Sequence, residues 1–440
     1  MSNGYGNFPL GEPSHAPMKD RANVSALPGG NRNSNGNFNN AGNNGNWWTA
    51  AENDGSNAYN RNMNYNNDNV NENNYNNDKS NGYSVRCVKD CAGGGRQSAS
   101  PLFLELRKAY MDARRHKRST INQLKFERGL ERGLLSLETE LSERTYELRP
   151  SVCFINELPV KREIIAADFR DRVVHHFLYN RIYPIFDKKF IYDSYSCRVG
   201  KGTLFGINRA RRFLRSCGAS GAEVWVLRLD IRGYFMAINR ELLFKLIMGG
   251  LGKHQFDDSV NINLTDFLIR KTVFNDPLKN ARFRSPSSAW DDLPKDKSLM
   301  NSAQDCGLPI GNLTSQLFAN IYLNPLDHFI KREMKIKYYG RYVDDMLLIH
   351  NDKSVLLGAV SQIREFLSKK LNLTLHPRKI KLQSADKGFA FLGMYIYPNR
   401  VVAGRRIVRN FKNCVFNPEP NYIKQGVRLQ SYLGLLSRFG

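Results

Sequence analysis

The sequence predicts an α+β fold with acidic residues at strand ends, preceded by an extension too polar to build a core. Residues 338–343 and 346–349 are aromatic or aliphatic runs flanking Asp344 and Asp345, which reads as a β-hairpin with a carboxylate pair at its tip. Glu223-Val-Trp-Val-Leu-Arg-Leu-Asp230 reads as a second strand, ending on a third carboxylate. Two adjacent aspartates alone fit an ordinary acidic turn. With Asp230 added, carboxylates from separate strand ends can converge on divalent metal ions, as phosphoryl-transfer chemistry requires. The third observation is a composition break at Cys91-Ala-Gly-Gly-Gly-Arg96.

A chain of 440 residues has room for two or more domains, and 65 Lys and Arg against 41 acidic residues give it a charge of +24. That balance calls for a polyanion, most commonly nucleic acid. No apolar run approaches a transmembrane length, and the polar start Met1-Ser-Asn-Gly-Tyr-Gly-Asn7 lacks a signal-peptide pattern, so no membrane partner and a cytoplasmic location are expected. Of the seven cysteines only Cys87 and Cys91 lie close together, without a second pair or nearby His, which favours reduced thiols over a zinc site.

Taken in order, residues 1–97 form the extension. Roughly half of residues 31–81 are Asn, with almost no aliphatic content, so the tract is expected to be disordered. Asn46-Trp-Trp-Thr-Ala-Ala-Glu-Asn53 and Ser84-Val-Arg-Cys-Val88 are not low-complexity. Residues 98–220 open with helices, the apolar period running through Leu130, Leu134, Leu137 and Leu141. Arg114-Arg-His-Lys-Arg118 could touch phosphates or line a solvated face. Pro159-Val-Lys-Arg-Glu-Ile-Ile165 is β-like, and a helix carries residues 166–176. Asp193-Ser-Tyr-Ser-Cys-Arg-Val-Gly-Lys-Gly-Thr203 is a Gly-flanked basic loop, with Arg198 and Lys201 as its charges, before a helix over 204–214.

Residues 221–398 hold the aspartates. Phe235, five residues after Asp230, is placed to cover the same pocket. Residues 275–305 are rich in Pro, Ser and Asp and read as an insertion loop. In the helix after Gly311, Asn312, Gln316 and Asn320 recur every four positions as a polar face suited to nucleic acid, beside an apolar stripe of Leu313, Leu317 and Ile321. A helix is expected over 354–371, strands over 373–381 and 389–397, and a further helix over 422–439 within the last segment, 399–440.

These residues together resemble the reverse transcriptases. Asp230 with Phe235, Gly307-Leu-Pro-Ile-Gly-Asn-Leu-Thr-Ser-Gln316, Tyr342-Val-Asp-Asp345 and Phe391-Leu-Gly393 are similar, in order, to the palm motifs, and Lys161-Arg162-Glu163 and Arg198-Val-Gly-Lys-Gly202 to the fingers motifs. Ser315-Gln316 after Ile310-Gly311 resembles the diversity-generating retroelement branch; group II intron and retron polymerases are the related alternative. The Asn-rich segment resembles the end of a formylglycine-generating-enzyme-like, C-type-lectin-fold protein, and hence the translated copy of an adenine-rich template repeat. That reading implies a natural start nearer Pro101.

The resemblance implies a right-hand polymerase with fingers, palm and a short or truncated helical thumb beginning near 399. It implies two Mg²⁺ ions, with Mn²⁺ as substitute, on Asp230, Asp344, Asp345 and the Ile231 carbonyl. Lys161 and Arg162 would hold the triphosphate, with Phe235, Ile310, Gly311 and Gln316 around the nucleotide. Lys379, or alternatively Lys381, would give a proton to pyrophosphate. Arg198, Lys201, Asn320, Leu392 and Gly393 would meet template or primer. The implied partners are template RNA, the cDNA or primer, deoxynucleoside triphosphates and a small basic accessory protein, in a bacterial or phage-encoded system. A non-catalytic nucleic-acid-binding remnant and a lectin-like module are the readings of other classes.

Overall fold

The computed structural model describes residues 18–19, 25–26, 31–39, 44–52, 54–64, 70–83, 99–115, 120–157, 160–252, 259–417 and 422–437. Cys87 and Cys91, the stretches 84–88 and 91–96, His116, Lys117, Arg118 and Pro159 lie outside them. The chain divides into two units, Met1–Gln97 and Ser98–Gly440.

In the first unit the expected disorder gives way to strands. β1 (Asn44–Glu52), β2 (Asn57–Asn64) and β3 (Val70–Asp78) form an antiparallel sheet in that order. Asp54 closes the first hairpin by accepting from the Ser56 and Asn57 amides at 2.8 and 2.7 Å. Asn46 and Asn62 are cross-strand partners, and the Asn62 amide donates to the Asn46 side-chain oxygen at 2.6 Å. Asparagine thus brings its own cross-strand hydrogen bonds where apolar side chains are scarce, which composition alone does not reveal.

The second unit begins with α1 (Pro101–Arg114), α2 (Ile121–Arg128) and α3 (Leu130–Ser142). Ser100 caps α1 by accepting from the Phe103 amide at 3.1 Å, with Pro101 at the first helical position. β4 (Val152–Asn156) and β5 (Arg162–Ala166) form a hairpin, followed by α4 (Phe169–Asp187) and α5 (Thr203–Cys217). β6 (Trp225–Leu229) leads to α6 (Arg240–Leu251) and α7 (Ser259–Val273). The stretch expected as an insertion loop is tied down: β7 (Arg282–Phe283) pairs in parallel with β4, extending the outer sheet to three strands. Buried Glu163 anchors the rest, accepting from Trp290 Nε1, Ser298 Oγ and the Leu299 amide at 2.7–2.8 Å.

α8 (Leu313–His328) runs into a π-helical turn, Phe329–Glu333, before β8 (Tyr338–Tyr342) and β9 (Asp345–His350). α9 (Lys353–Leu371) is capped by Asp352 and ends where Asn372 turns left-handed. β10 (Lys381–Ser384) completes a four-stranded central sheet in the order β8-β9-β6-β10. The strand expected over 389–397 is a hairpin, β11 (Phe389–Phe391) and β12 (Met394–Ile396), joined by β13 (Val401–Ala403). α10 (Arg405–Phe416) and α11 (Tyr422–Leu436) follow. No helix among the described residues is long and apolar enough to cross a membrane.

Both faces of the central sheet are covered. Leu227, Leu229, Met346 and Leu348 join the large core built with α1, α4, α6, α8 and α9. Val226, Leu347 and Ile349 face a second cluster with α5 and the β11–β13 sheet. A strand buried on both faces explains why residues 346–349 are uninterruptedly apolar.

One buried charge fixes the hairpin. Arg341, with no exposed surface, donates Nε and Nη2 to Asp327 at 2.8 and 2.6 Å, and Nη1 to the Val343 carbonyl at 2.7 Å and to Asn320 at 3.2 Å. The turn needs that hold, because Val343 has φ 56°, a left-handed conformation that a β-branched residue adopts at a cost of about 1–3 kcal/mol. Arg341→Met should lower stability by about 3–5 kcal/mol, since it leaves Asp327 buried and unpaired. Adding Asp327→Asn, which keeps an acceptor for Tyr339, should recover part of it, read as the urea midpoint; no recovery would mean the pair is not the source of the loss.

His175, buried on α4, has neither ring nitrogen bonded among the described residues, and burial first, then His176 and Arg172, lower its pKa from 6.5 to about 4. A lowered His contributes stability above its unfolded value that is lost as pH falls through the folded one. His175→Leu should therefore flatten the fall in Tm between pH 6.5 and 4 relative to wild type; parallel curves would refute this.

Candidate active site

β6 and the β8–β9 hairpin deliver three carboxylates to one end of the central sheet. Leu229 pairs with Met346 at the end of the ladder, so Asp230 and Asp345 are the next residues on their chains, and the charge of Asp230 acts on Asp345. Asp344 stands beside them, because Tyr342 pairs with Asp345 and only Val343 and Asp344 form the turn. Burial, then the charges of Asp230 and Asp345, push the Asp344 carboxyl up to about 7. Burial and Asp230 raise Asp345 as well, against the pull of Arg228 and Lys379. The direction is that of crowded like charges.

Asp230 is clamped through its backbone: its carbonyl accepts from the His376 amide at 2.8 Å, and Arg232 N donates to Thr374 O at 2.9 Å. Ile231 forms a bridge with Leu375 between these two contacts. The same segment turns Lys379 inward, and its Nζ donates to Asp230 Oδ2 at 2.6 Å. Lys381 lies opposite Arg228 in the ladder, exposed and without an ion pair among the described residues. Sequence reasoning passed over Arg228, two residues before Asp230 and so on the same strand face, whose charge acts on Asp345. The period of two was the signal that could have found it.

Phe235 lies on the helical turn Tyr234–Ala237, and both it and Ile310 pack on Cys153, Ile165, Met236 and Leu299. The loop containing Ile310 is zipped on two sides. Leu308 N donates to Phe235 O at 2.8 Å and Gly307 N to Ile238 O at 2.8 Å, while Ile310 O accepts from Ile165 N of β5 at 2.9 Å. Gly311 makes that crossing possible: at its φ of 128° a Cβ would lie 3.1 Å from both Ile164 Cγ2 and the Ile165 carbonyl. Gln316 is exposed on the first turns of α8. Arg162 is exposed at the start of β5, and Lys161 lies 3.9 Å from Asp292. Neither shares a hydrogen bond with the carboxylates among the described residues.

Three residues expected at template or primer have partners within the protein. Arg198 is consumed inside its own loop, donating to Asp187 Oδ1 at 2.7 Å and to the carbonyls of Asp187, Ile191 and Ser194. Asn320 is buried, donating to Ser196 O at 2.8 Å and accepting from Arg341. Lys201 donates to the Tyr192 carbonyl and sits 4.4 Å from that ring's centroid, and burial first lowers its pKa to about 8. A loop packed against protein needs partners for its carbonyls, and these side chains supply them. Asn312 instead partners an amide, accepting from Ala167 N at 3.3 Å. Leu392 and Gly393, with φ of 50° and 88°, form the two-residue turn between β11 and β12.

As they stand, no three His, Cys, Asp or Glu side chains among the described residues are close enough to hold a metal ion. The donors of the three aspartates are nonetheless hard carboxylate oxygens, the class that suits divalent cations, and burial first, then the charges of Asp230 and Asp345, raises Asp344.

Residues 161–396 match the family model described as reverse transcriptase (RNA-dependent DNA polymerase), and residues 9–89 match that of the Fibrobacter succinogenes major domain. Protein YkfC of Escherichia coli (strain K12) is 24% identical over 256 residues, 51% of this chain and 60% of YkfC. The chain thus spans less than two thirds of that curated relative. Apo telomerase from Candida tropicalis, truncated from its C-terminal domain, is 11% identical with a TM-score of 0.41, over 58% of this chain and 55% of that one. Telomerase from Candida albicans in complex with a TWJ fragment of telomeric RNA is 11% identical with a TM-score of 0.40, over 68% and 55%. Structural similarity that low carries no argument by itself. The first match does, because it spans more than half of the chain and takes in Asp230, Asp344 and Asp345. The chain belongs to the reverse transcriptase (RNA-dependent DNA polymerase) family.

Proposed function

We propose that this chain is an RNA-directed DNA polymerase of the diversity-generating retroelement type, copying a template-repeat RNA into cDNA with errors at adenines. The observation that carries the polymerase reading is the meeting of Asp230, Asp344 and Asp345 at one sheet end, with Asp344 pushed up to about 7 by burial and its neighbours. Asp230 and Asp344 would be the firmer ligands of a pair of Mg²⁺ ions, with Asp345 and the Ile231 carbonyl beside them and Mn²⁺ as substitute. Such ions, when bound, would lower the pKa of the primer 3′-hydroxyl and hold the triphosphate. Lys379, whose ammonium bonds Asp230, would give a proton to the leaving pyrophosphate after parting from it. Arg162, exposed at the strand start, would clamp the triphosphate with Lys161. Phe235 would crowd a sugar 2′-hydroxyl and so favour deoxynucleotides over ribonucleotides.

The retroelement type is supported by Ile310-Gly311 with Ser315-Gln316, and by the match of residues 9–89 to a family of another description. A translated copy of another gene's end would give such a match. Ile310 cannot make the hydrogen bonds of an amide near the templating base, which suits loose discrimination, while exposed Gln316 keeps its amide for the nucleotide pair. A small basic accessory protein would complete the assembly.

Primer extension on poly(rA)/oligo(dT) with Mg²⁺ tests the chemistry. Asp344→Asn should reduce it by about 10³-fold, some 4 kcal/mol of barrier, with Tm preserved. Equal extension by the two proteins would remove the polymerase reading. Ile310→Gln should lower misincorporation opposite template adenine more than opposite other bases, as counted by sequencing the cDNA. An unchanged error spectrum would take Ile310 out of the explanation.

A further inference from the structure

We propose that the edge of the central sheet carries a second nucleic-acid contact, a pocket that takes a single RNA strand. Its phosphates would lie on Arg212, Arg215, Lys331 and Lys337, and one base would lie against Tyr338. The pocket is a cavity of about 390 Å³ between α5, the π-helical turn and the start of β8. Tyr338 opens β8 and Tyr342 closes it beside the aspartates, four residues of extended chain or about 14 Å away. The pocket is therefore separate from the carboxylate site.

Charge is the first argument. Arg209, Arg212 and Arg215 recur every three residues on α5, a spacing that brings like charges together and costs stability unless an anion is present. Of the three, only Arg209 bonds Asp193 among the described residues, at 2.6 and 3.0 Å. Arg212, Arg215, Lys331 and Lys337 make no ion pair among the described residues, and Arg212, Arg215 and Lys337 are exposed. Lys331 is half-buried with its ammonium on the Lys337 carbonyl, and burial lowers its pKa despite the opposing charge of Asp193. An anion in the pocket would restore what that burial removes.

The second argument is aromatic. The half-buried Tyr338 ring packs 5.7 Å from that of buried Phe213, with the Lys337 ammonium 5.3 Å from its centroid. A ring backed by the core and flanked by unpaired cations is what single-stranded nucleic acid uses, phosphates on the cations and a base on the ring. A cavity of this size admits a nucleotide or two and excludes a duplex. The choice of RNA over DNA rests on the proposed template.

The test is fluorescence anisotropy of the full chain with a 20-nucleotide single-stranded RNA across a salt titration, without nucleotide or divalent cation. Arg212→Gln with Arg215→Gln should make log K against log salt shallower by about 1.4, the contribution of two phosphates. Tyr338→Leu, which keeps an apolar side chain against Phe213, should weaken binding by about 5- to 150-fold, the range for one stacked base. Extension of a short primer–template duplex should be unchanged in both variants. Unchanged slope and affinity would overturn the proposal, and an equal loss with a single-stranded DNA probe would overturn the assignment to RNA. Loss of duplex extension would instead place these residues in the polymerising site. Because binding is read without catalysis, failure of the polymerase reading leaves this result interpretable.

Discussion

The ion pair between Arg341 and Asp327 is the contact on which the carboxylate-bearing end of the sheet depends. Burial alone would lower the pKa of Arg341, yet Asp327 more than offsets it, so the guanidinium stays charged inside the core. Two parallel bonds to one carboxylate are the geometry in which attraction can match the cost of desolvation. The remaining donors go where the fold needs them. One reaches the Val343 carbonyl and holds the left-handed turn, another reaches Asn320, and the strand's own amide and carbonyl pair with Asp193 and Tyr195. Gly340 completes the arrangement, since a Cβ there would lie 2.1 Å from the Tyr195 hydroxyl. The aspartates project from a turn determined largely by residues behind it.

That dependence explains what the sequence disclosed and what it withheld. The hairpin, the strand before Asp230 and the helix expected over 354–371 follow from local alternation and periodicity, and the structure forms all three. Arg341 was invisible as a core residue, because an arginine three positions before two aspartates reads as a surface charge. Its partner is fourteen residues upstream in another element. Glu163 is similar: its acceptors serve donors 127 to 136 residues away. Neither distance leaves a local pattern.

The amides of α8 show the same limit from the other side. Their recurrence every four residues was real, and it does describe one face. Only Gln316 reaches solvent; Asn312 and Asn320 satisfy backbone groups of neighbouring segments. An uncharged amide can serve a ligand or a buried loop equally well, and spacing cannot separate the two. In the first unit asparagine again proved structural, where alternation within strands outweighed a composition that favours disorder.

At the carboxylates, rigidity and exchange are divided between different residues. Asp344 and Asp345 stand on a turn locked by a wholly buried pair, and Asp230 on a segment clamped by backbone hydrogen bonds. Lys379, by contrast, is about half exposed, so its bond to Asp230 is screened by water and contributes little to stability. It neutralises part of the anionic cluster while remaining easy to displace. A lysine buried as deeply as Arg341 would hold Asp230 permanently, and an absent one would leave three repelling carboxylates with the Arg228 charge acting on Asp345. The combination keeps the acidic groups in place while leaving their counter-charge exchangeable, as the highly charged ligands of the proposed reaction would require.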